Sequence, residues 1–274
     1  MYKIDRQYTT NNPFWNAPNI VPTGIVIHSI GVPQPNAQIL RNNFDRSNNH
    51  ASVHAFLQPG LVIECLPVME IPRQCKRGAH VGSGSRGSYN TSRIGVEICE
   101  PNSIRYIGGG RFEDLDPKNT REYFMAATDT AAQYLADLCI FHSISSAMIS
   151  THVEAHQAGY GTAHSDPNHL WSHLGYTPEQ FRKDVQKYIN EKEYLATMTK
   201  QEFEAILDER VGARYKTLPQ VPDWARPSIQ KIMLNGFLSG SGTDEQGQPI
   251  IDLSHDLMRT LLILERTGAF DKKE

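Results

Sequence analysis

The sequence predicts an α/β fold in which a mixed, central β-sheet carries helices on its faces, followed by a small helical C-terminal domain. Short, continuous apolar runs of strand length alternate with longer segments of helical spacing over about the first 190 residues, and only helical patterns follow. At 274 residues the chain exceeds the common domain size, which favours one large domain and a smaller one.

The strands in the first part of the chain are indicated by short apolar runs. Residues 23–30 (TGIVIHSI) are continuous and β-branched, which predicts a buried strand with a histidine near its carboxyl end. Residues 36–46 have helical spacing, and residues 52–66 predict two strands joined by a Pro-Gly turn. Residues 93–100 predict another buried strand, in which Glu97 is an unexpected carboxylate among apolar neighbours.

The later part of the large domain is predicted as helix, strand and helix. Apolar residues on one face predict a long helix over residues 120–142, suited to covering a sheet. Residues 147–151 predict a strand that ends at His152, and Thr177 with Pro178 opens a further helix.

A proline-bearing connector separates the two predicted domains. Thr199 and Glu202 have the spacing of a capping box and predict a helix before this connector. We therefore divide the chain into a large domain, a helical linker and a small helical domain, at residues 1–195, 196–214 and 215–274.

Charge and hydropathy exclude several kinds of partner. The formal net charge is −3 and the 27 Lys and Arg residues are scattered, so no basic stripe indicates a nucleic-acid partner. No stretch approaches the ~20 apolar residues that span a bilayer, and the first residues lack the apolar core of a signal peptide. We expect that the protein is synthesised in the cytoplasm and does not insert into a membrane. The four cysteines lack CxxC spacing, which favours buried free thiols over disulfides.

Histidines and acidic residues concentrate in a way that indicates a metal site. A lone histidine such as His28 is usually structural, but residues 151–171 add several histidines, a glutamate and an aspartate. Zinc favours imidazole and carboxylate ligands, and three ligands with one open position are what hydrolysis requires. A metal on His152 and His156, which bracket Glu154, is an alternative if that stretch is helical. Its order, HxExH, differs from the HExxH of metalloproteases.

Four segments, IVIHSIG, SVHAFL, RIGVEICEP and HVEAH…HSDP, occur in an order and at distances that resemble the type 2 N-acetylmuramoyl-L-alanine amidase family. The resemblance covers roughly residues 20–175 and is closest to phage or prophage endolysins of Firmicutes. It implies the fold that this family shares with peptidoglycan-recognition proteins, and one catalytic zinc ion.

The resemblance also implies roles for individual residues. It places the zinc ligands at three positions, His28, His152 and Asp166. Glu97 falls on the strand glutamate that acts as acid and base, and His164 replaces a lysine that many members carry near the third ligand. Val53 stands where many relatives have a tyrosine beside the metal, so any role of that tyrosine is missing or supplied by another group.

The implied activity is hydrolysis of the amide bond between the muramoyl lactyl group and the L-alanine of the stem peptide in peptidoglycan. The enzyme would act at the bacterial cell wall after release or export. Two alternatives are a peptidoglycan-binding module without catalysis and a peptidase that cuts within the stem. All three ligand positions are filled, which favours an enzyme over a binding module.

Three of the candidate residues have a second interpretation. Glu97 could pair with Arg93 or Arg77 instead of acting in catalysis. His54 and His80 are candidates for substrate binding in the cleft, and each is alternatively an inward histidine hydrogen-bonded within the fold.

The small C-terminal domain has two helical patterns, over residues 224–235 and 253–264. About sixty residues are marginal for an independent core, and the apolar faces of these helices need burial. Attachment to the cell wall is one expected role, and formation of a homodimer through the helices is the other.

Overall fold

A computed structural model describes residues 2–70, 75–197, 202 and 214–271. The chain divides into two compact units, Met1–Tyr194 and Leu195–Glu274. Most of the linker predicted over residues 196–214, including Thr199, lies outside the described residues. Among the residues that are described, no helix is long and apolar enough to cross a membrane.

The first unit is built on a mixed six-stranded sheet. Its strands pair in the order β1-β4-β3-β5-β2-β8, with β3 and β4 antiparallel and every other pair parallel. The bounds are Lys3–Arg6 (β1), Gly24–Ser29 (β2), Ala55–Gln58 (β3), Leu61–Glu64 (β4), Arg93–Ile98 (β5) and Ile149–Thr151 (β8). The predicted central sheet is confirmed, and the edge strand β1 was not predicted because KIDR has one strongly apolar residue.

The central strands explain why their sequences are continuous apolar runs. Every residue of β2 and β5 is buried, because the sheet is covered on both faces. The parallel register pairs His28 with Glu97, so the two side chains lie on the same face in neighbouring strands. β8 ends at Thr151, which pairs with Ile27, and His152 follows directly.

Five helices accompany this sheet, at Ala37–Phe44 (α1), Pro117–His142 (α2), His152–Gln157 (α3), Asn168–His173 (α4) and Pro178–Thr197 (α5). α2 buries Phe124, Ala127 and Leu135 on one face, which confirms the predicted helix. It begins at Pro117, three residues before the predicted start, because the side chain of Asp116 accepts a hydrogen bond from Asn119 N–H and caps the first turn.

A two-stranded hairpin, β6 (Ile104–Gly108) and β7 (Arg111–Asp114), was not predicted. Its strands are short and mostly polar, so the apolar alternation that reveals a strand is weak. Gly108, Gly109 and Gly110 at the tip all have positive φ angles. A side chain at Gly110 would collide with Ser165, so the tip lies against the loop before α4.

The second unit combines two helices, Arg226–Leu234 (α6) and His255–Arg266 (α7), with an antiparallel strand pair, Arg214–Thr217 (β9) and Ile250–Ser254 (β10). Both helices were predicted, whereas the strands are too short to show an alternating pattern. A separate apolar core includes Ile229, Ile232, Leu253 and Met258. The four cysteines, all in the first unit, are buried free thiols, as predicted.

Candidate metal centre

His28 lies in β2, an inner strand of the sheet that pairs with β5 and β8. It is the fifth residue of β2 and its side chain is almost completely buried. Its Nδ1 atom lies 3.0 Å from His152 Nδ1 and 3.0 Å from Asp166 Oδ2. Burial lowers the pKa of the His28 imidazole, which keeps the ring neutral, as a metal ligand must be.

His152 is placed by the junction of a strand and a helix. Thr151 ends β8 and caps α3 with a reciprocal capping box, in which its hydroxyl accepts from Glu154 N–H while the Glu154 carboxylate accepts from Thr151 N–H. The first helical residue, His152, is therefore aimed beside the end of β2. Its Nδ1 atom is 3.2 Å from Asp166 Oδ1.

Asp166 comes from the loop that leads into α4 and is also buried. Its two oxygen atoms face the two histidines separately, with Oδ2 at 3.0 Å from His28 Nδ1 and Oδ1 at 3.2 Å from His152 Nδ1. The carboxyl group therefore faces two imidazole nitrogen atoms.

The spacing of the three groups fits a tetrahedral zinc ion. With bonds of 2.0–2.1 Å, tetrahedral ligand atoms lie about 3.3 Å apart. His28 Nδ1 lies 3.0 Å from both His152 Nδ1 and Asp166 Oδ2, close to that value. His152 Nδ1 lies 3.2 Å from the other Asp166 oxygen atom, Oδ1. Among the residues that the structure describes, His28, His152 and Asp166 form the one group of three such side chains able to hold a metal.

The alternative metal site on His152 and His156 is not formed. The stretch is helical, and the two histidines lie one turn apart on α3. His156 Nδ1, however, lies 3.1 Å from the carbonyl oxygen of Gly161, and His156 does not join the converging group.

Glu97 lies next to His28 in the adjacent strand and is buried without an ion pair among the described residues. Its Oε2 atom has no hydrogen-bond partner in that part of the chain. Burial, followed by the nearby charges of Asp166 and Glu100, raises the pKa of the Glu97 carboxyl well above its usual range.

The predicted alternative, an ion pair between Glu97 and an arginine, is wrong. The Arg93 guanidinium instead donates to the carbonyl oxygen of Met148 and to Ser150 Oγ, each at 2.8 Å, and lies over the ring of Tyr89. A buried carboxylate with a free oxygen atom is costly for folding, so its presence points to a chemical use.

The other three predicted site residues differ in position. His164 stacks on His152 with a 4.6 Å distance between ring centroids, and its side chain is 60% exposed. His54 is completely buried, accepts a hydrogen bond from Gly95 N–H and lies 2.6 Å from the Lys76 carbonyl oxygen. Its predicted contact with substrate is therefore corrected to a structural role, because no face of its ring reaches solvent.

His80 lies behind the metal centre. It is partly buried, and its Nδ1 atom lies 3.0 Å from His28 Nε2, on the side of the His28 ring away from Asp166. The structure thus brings His80 to the candidate metal ligand His28, whereas the sequence suggested a cleft residue.

A family comparison agrees with this geometry. The profile described as N-acetylmuramoyl-L-alanine amidase matches residues 18–169, more than half of the chain. The chain belongs to this family. No curated protein matches the chain.

Solved structures resemble this amidase in fold. The Staphylococcus aureus hydrolase AmiA, in complex with its ligand, is 19% identical over 68% of this chain and 83% of that chain, with a TM-score of 0.50. A mutant endolysin from Bacillus subtilis is 19% identical over 68% and 99% of the two chains (TM-score 0.49). The catalytic domain of XlyA is 20% identical over 67% and 99% (TM-score 0.48). At such identities the similarity concerns the fold alone, and the predicted fold is confirmed.

A cleft of about 770 Å³ opens beside the candidate metal centre of the amidase. Asp166 and His164 line it, together with His169 and the β6–β7 hairpin residue Tyr106. Its volume is that of a typical ligand pocket. An extended substrate in this cleft would pass the one candidate metal ligand that lines it, Asp166.

Glu100 and Tyr106 form a hydrogen-bonded group in the amidase that the sequence did not reveal. Tyr106 Oη donates to Glu100 Oε2 at 2.7 Å and lies 2.6 Å from His169 Nε2. Glu100 Oε1 accepts from Gly31 N–H. Burial raises the pKa of the Glu100 carboxyl to about 7. These partners come from separate parts of the chain, so only the position of Glu100 after a buried strand was visible in the sequence.

Proposed function

We propose that the protein is a zinc-dependent N-acetylmuramoyl-L-alanine amidase that hydrolyses the bond between the muramoyl lactyl group and L-alanine in peptidoglycan. The observation that carries this proposal is the convergence of His28, His152 and Asp166 next to Glu97, a buried carboxylate with an unpaired oxygen atom. Membership of the amidase family supports the reaction class. The proposed place of action is the bacterial cell wall, after release or export, in the manner of an endolysin.

The three converging groups would hold the metal through His28 Nδ1, His152 Nδ1 and an oxygen of Asp166. A bound zinc ion supplies Lewis acidity, which polarises a carbonyl oxygen and acidifies water. The protein supplies two imidazoles and one carboxyl group, a ligand set typical of catalytic rather than structural zinc because one position remains open.

Glu97 is the group proposed to move protons. Its raised pKa allows the carboxylate to take a proton from the attacking water and later to give one to the leaving nitrogen. The carbon–nitrogen bond breaks, a carbon–oxygen bond forms, and the products are a lactyl carboxylate and a free alanine amine.

His164 is proposed to stabilise the developing negative charge on the carbonyl oxygen. It is exposed in the cleft, stacks on His152 and has its Nδ1 atom 3.9 Å from Asp166 Oδ1. Donors aimed at such an oxygen atom typically contribute about 10²-fold or more to the rate. Replacement of His164 by Ala should lower kcat while the zinc content, measured by atomic emission, stays unchanged.

Digestion of purified cell walls tests the proposed reaction. The full chain should release new N-terminal alanine and leave glycan without stem peptides, both measured by mass spectrometry. A chelator should abolish the release, and added zinc should restore it. Glycan with intact lactyl–peptide bonds beside cleaved stems would identify a stem-peptide peptidase, and binding without any product would identify a binding module.

The second unit is proposed to attach the enzyme to the wall. A cleft of about 420 Å³ is lined by His255, Arg259, Arg266 and an exposed Trp224, and the two arginines have no ion pair among the described residues. An exposed indole can stack on a sugar ring, and free guanidinium groups can bind its anionic substituents.

Cosedimentation of an inactive Glu97→Gln chain with purified walls tests this attachment. Adding Trp224→Ala should lower the bound fraction. The alternative role, a homodimer formed through the helices, predicts unchanged wall binding and a doubled mass in light scattering.

A further inference from the structure

Both candidate ligand histidines connect from behind to the same short segment, His80 and Val81. His28 contacts His80 directly, and His152 reaches Val81 through Thr162. Each histidine presents Nδ1 to Asp166, and each has its Nε2 atom on the opposite side of the ring. The contacts of these two Nε2 atoms determine where the ring protons reside, because a neutral imidazole carries one N–H and one lone pair.

The first chain of contacts runs through His80. His80 Nε2 lies 3.3 Å from the carbonyl oxygen of Arg93, which can only accept, so this nitrogen carries the proton. His80 Nδ1 is then an acceptor, and it lies 3.0 Å from His28 Nε2, which must donate. The lone pair of His28 is consequently on Nδ1, facing Asp166.

The second series of contacts runs from His152 through Thr162 to Val81, the residue after His80. Thr162 Oγ1 donates to the Val81 carbonyl oxygen at 3.1 Å, so its only proton is used. Oγ1 therefore accepts from His152 Nε2, which is 3.3 Å away. The lone pair of His152 is likewise on Nδ1, so two lone pairs and a carboxylate converge on one point.

The segment at which both series of contacts end, His80 and Val81, is itself held by hydrogen bonds. Asn90 Oδ1 accepts hydrogen bonds from His80 N–H at 2.9 Å and Val81 N–H at 3.1 Å. The His80 ring lies directly over Gly95 in β5, where a side chain would collide with it. The segment therefore has little freedom to move, and its contacts do not depend on a bound metal.

We propose that His80, acting on His28, and Thr162, acting on His152 and bonded to Val81, are positioning residues. Together they fix both ligand histidines in the Nε2–H tautomer and so require the metal to bind through Nδ1 of each. This inference rests on the proposed zinc site and concerns metal affinity rather than the bond that is cut. Hydrogen bonds to the far nitrogen of a ligand histidine typically change metal affinity by 10- to 100-fold.

Two variants at position 80 separate the hydrogen bond from ring packing. His80→Phe keeps an aromatic ring but removes the acceptor, and zinc affinity, measured by competition with a chromophoric chelator, should fall about 10- to 100-fold. His80→Asn keeps an oxygen acceptor near the position of Nδ1 and should restore most of that affinity. Thr162→Val should weaken zinc binding in the same way through His152.

Nitrogen NMR of the metal-free full chain provides a readout independent of any variant. His28 and His152 should both show a protonated Nε2 and a bare Nδ1. An Nδ1–H tautomer at either histidine, or unchanged zinc affinity in a folded His80→Phe chain, would overturn the proposal. If either of those results is found in a protein that still cleaves walls as an amidase, the present inference is wrong and the proposed function stands. If the His80→Phe chain loses zinc affinity but the wild-type chain cleaves no wall, the present inference stands and the proposed function is wrong.

Discussion

Glu97 and Glu100 stand three positions apart and are both buried, but their surroundings give them different uses. Both oxygen atoms of Glu100 accept hydrogen bonds, from Gly31 N–H and Tyr106 Oη. Oε2 of Glu97 has no hydrogen-bond partner among the described residues. Glu97 is paired with His28 in the adjacent strand, so its side chain lies beside that histidine. The first carboxyl holds loops together, and the second has an oxygen atom that no described residue contacts.

Replacement of Glu97 by Gln should lower the rate of alanine release about 10²- to 10⁴-fold, because the amide cannot accept and return a proton. Zinc content should remain one ion per chain, since Glu97 is not among the converging ligands. The matched control is Glu64→Gln, which also removes a buried carboxylate but one paired with Arg6. Equal activity losses in the two variants would contradict a chemical role for Glu97.

The raised pKa of Glu100 predicts how stability changes with pH. The folded chain holds a proton up to about pH 7, whereas the unfolded carboxyl releases it near pH 4.3. The folded state therefore binds more protons in this window, and its stability falls as pH rises through it. The stability difference between wild type and Glu100→Gln should decline by roughly 2 kcal/mol from pH 5 to pH 8.

Urea unfolding at a series of pH values, at constant metal concentration, measures this difference. Glu122→Gln, at a mostly exposed position of α2, is the control and should shift stability little at any pH. Parallel pH curves for wild type and the Glu100 variant would show that the Glu100 carboxyl is not buried as described.

Elements position the metal centre through their ends. β2 carries His28 one residue before its end, and α3 starts with His152 directly after β8. The capping box of Thr151 joins strand and helix at this point. The position of His152 therefore depends on a hydroxyl group outside the candidate ligand group.

Replacement of Thr151 by Val keeps the side-chain shape and removes this cap. The free energy of unfolding should decrease by about 1 kcal/mol, measured by urea titration, and zinc affinity should decrease with it because the first turn of α3 loosens. Thr151→Ser retains the hydroxyl and should keep most of both. A Thr151→Val variant that is destabilised but keeps the wild-type zinc affinity would show that the helix cap does not affect the metal site.

The same elements show which parts of the fold and of the candidate site could be predicted from the sequence. β2, β5 and α2 are buried on a wide surface, so their apolar patterns are strong, and His28, Glu97 and His152 were found beside them. The β6–β7 and β9–β10 pairs are short and partly exposed, so no periodic signal marks them. The roles of Glu100, Tyr106 and His80 arise from contacts between distant segments, which no local pattern encodes.

At the scale of the whole molecule, the metal site and the C-terminal helices belong to separate compact units. Each has its own apolar core. A ligand that binds only the folded state stabilises the unit that contains its site, by about 3 kcal/mol when its free concentration is 100 times the Kd.

Removal of zinc should accordingly lower the Tm of one calorimetric transition and leave the other in place. Zinc re-addition should restore the first transition, and Asp166→Ala should make it insensitive to both treatments because a ligand is lost. Two transitions that shift together, or none that shifts, would argue against a metal bound in the first unit only.

The close contact between Gly95 and the His80 ring has a consequence for how mutations in this protein should be interpreted. Gly95 has no side chain and lies within β5. Yet a single added methyl group would displace the His80 imidazole, which in turn contacts His28. We therefore expect a side chain at position 95 to disturb the candidate metal centre. The disturbance would pass from Gly95 to His28 through the displaced ring of His80.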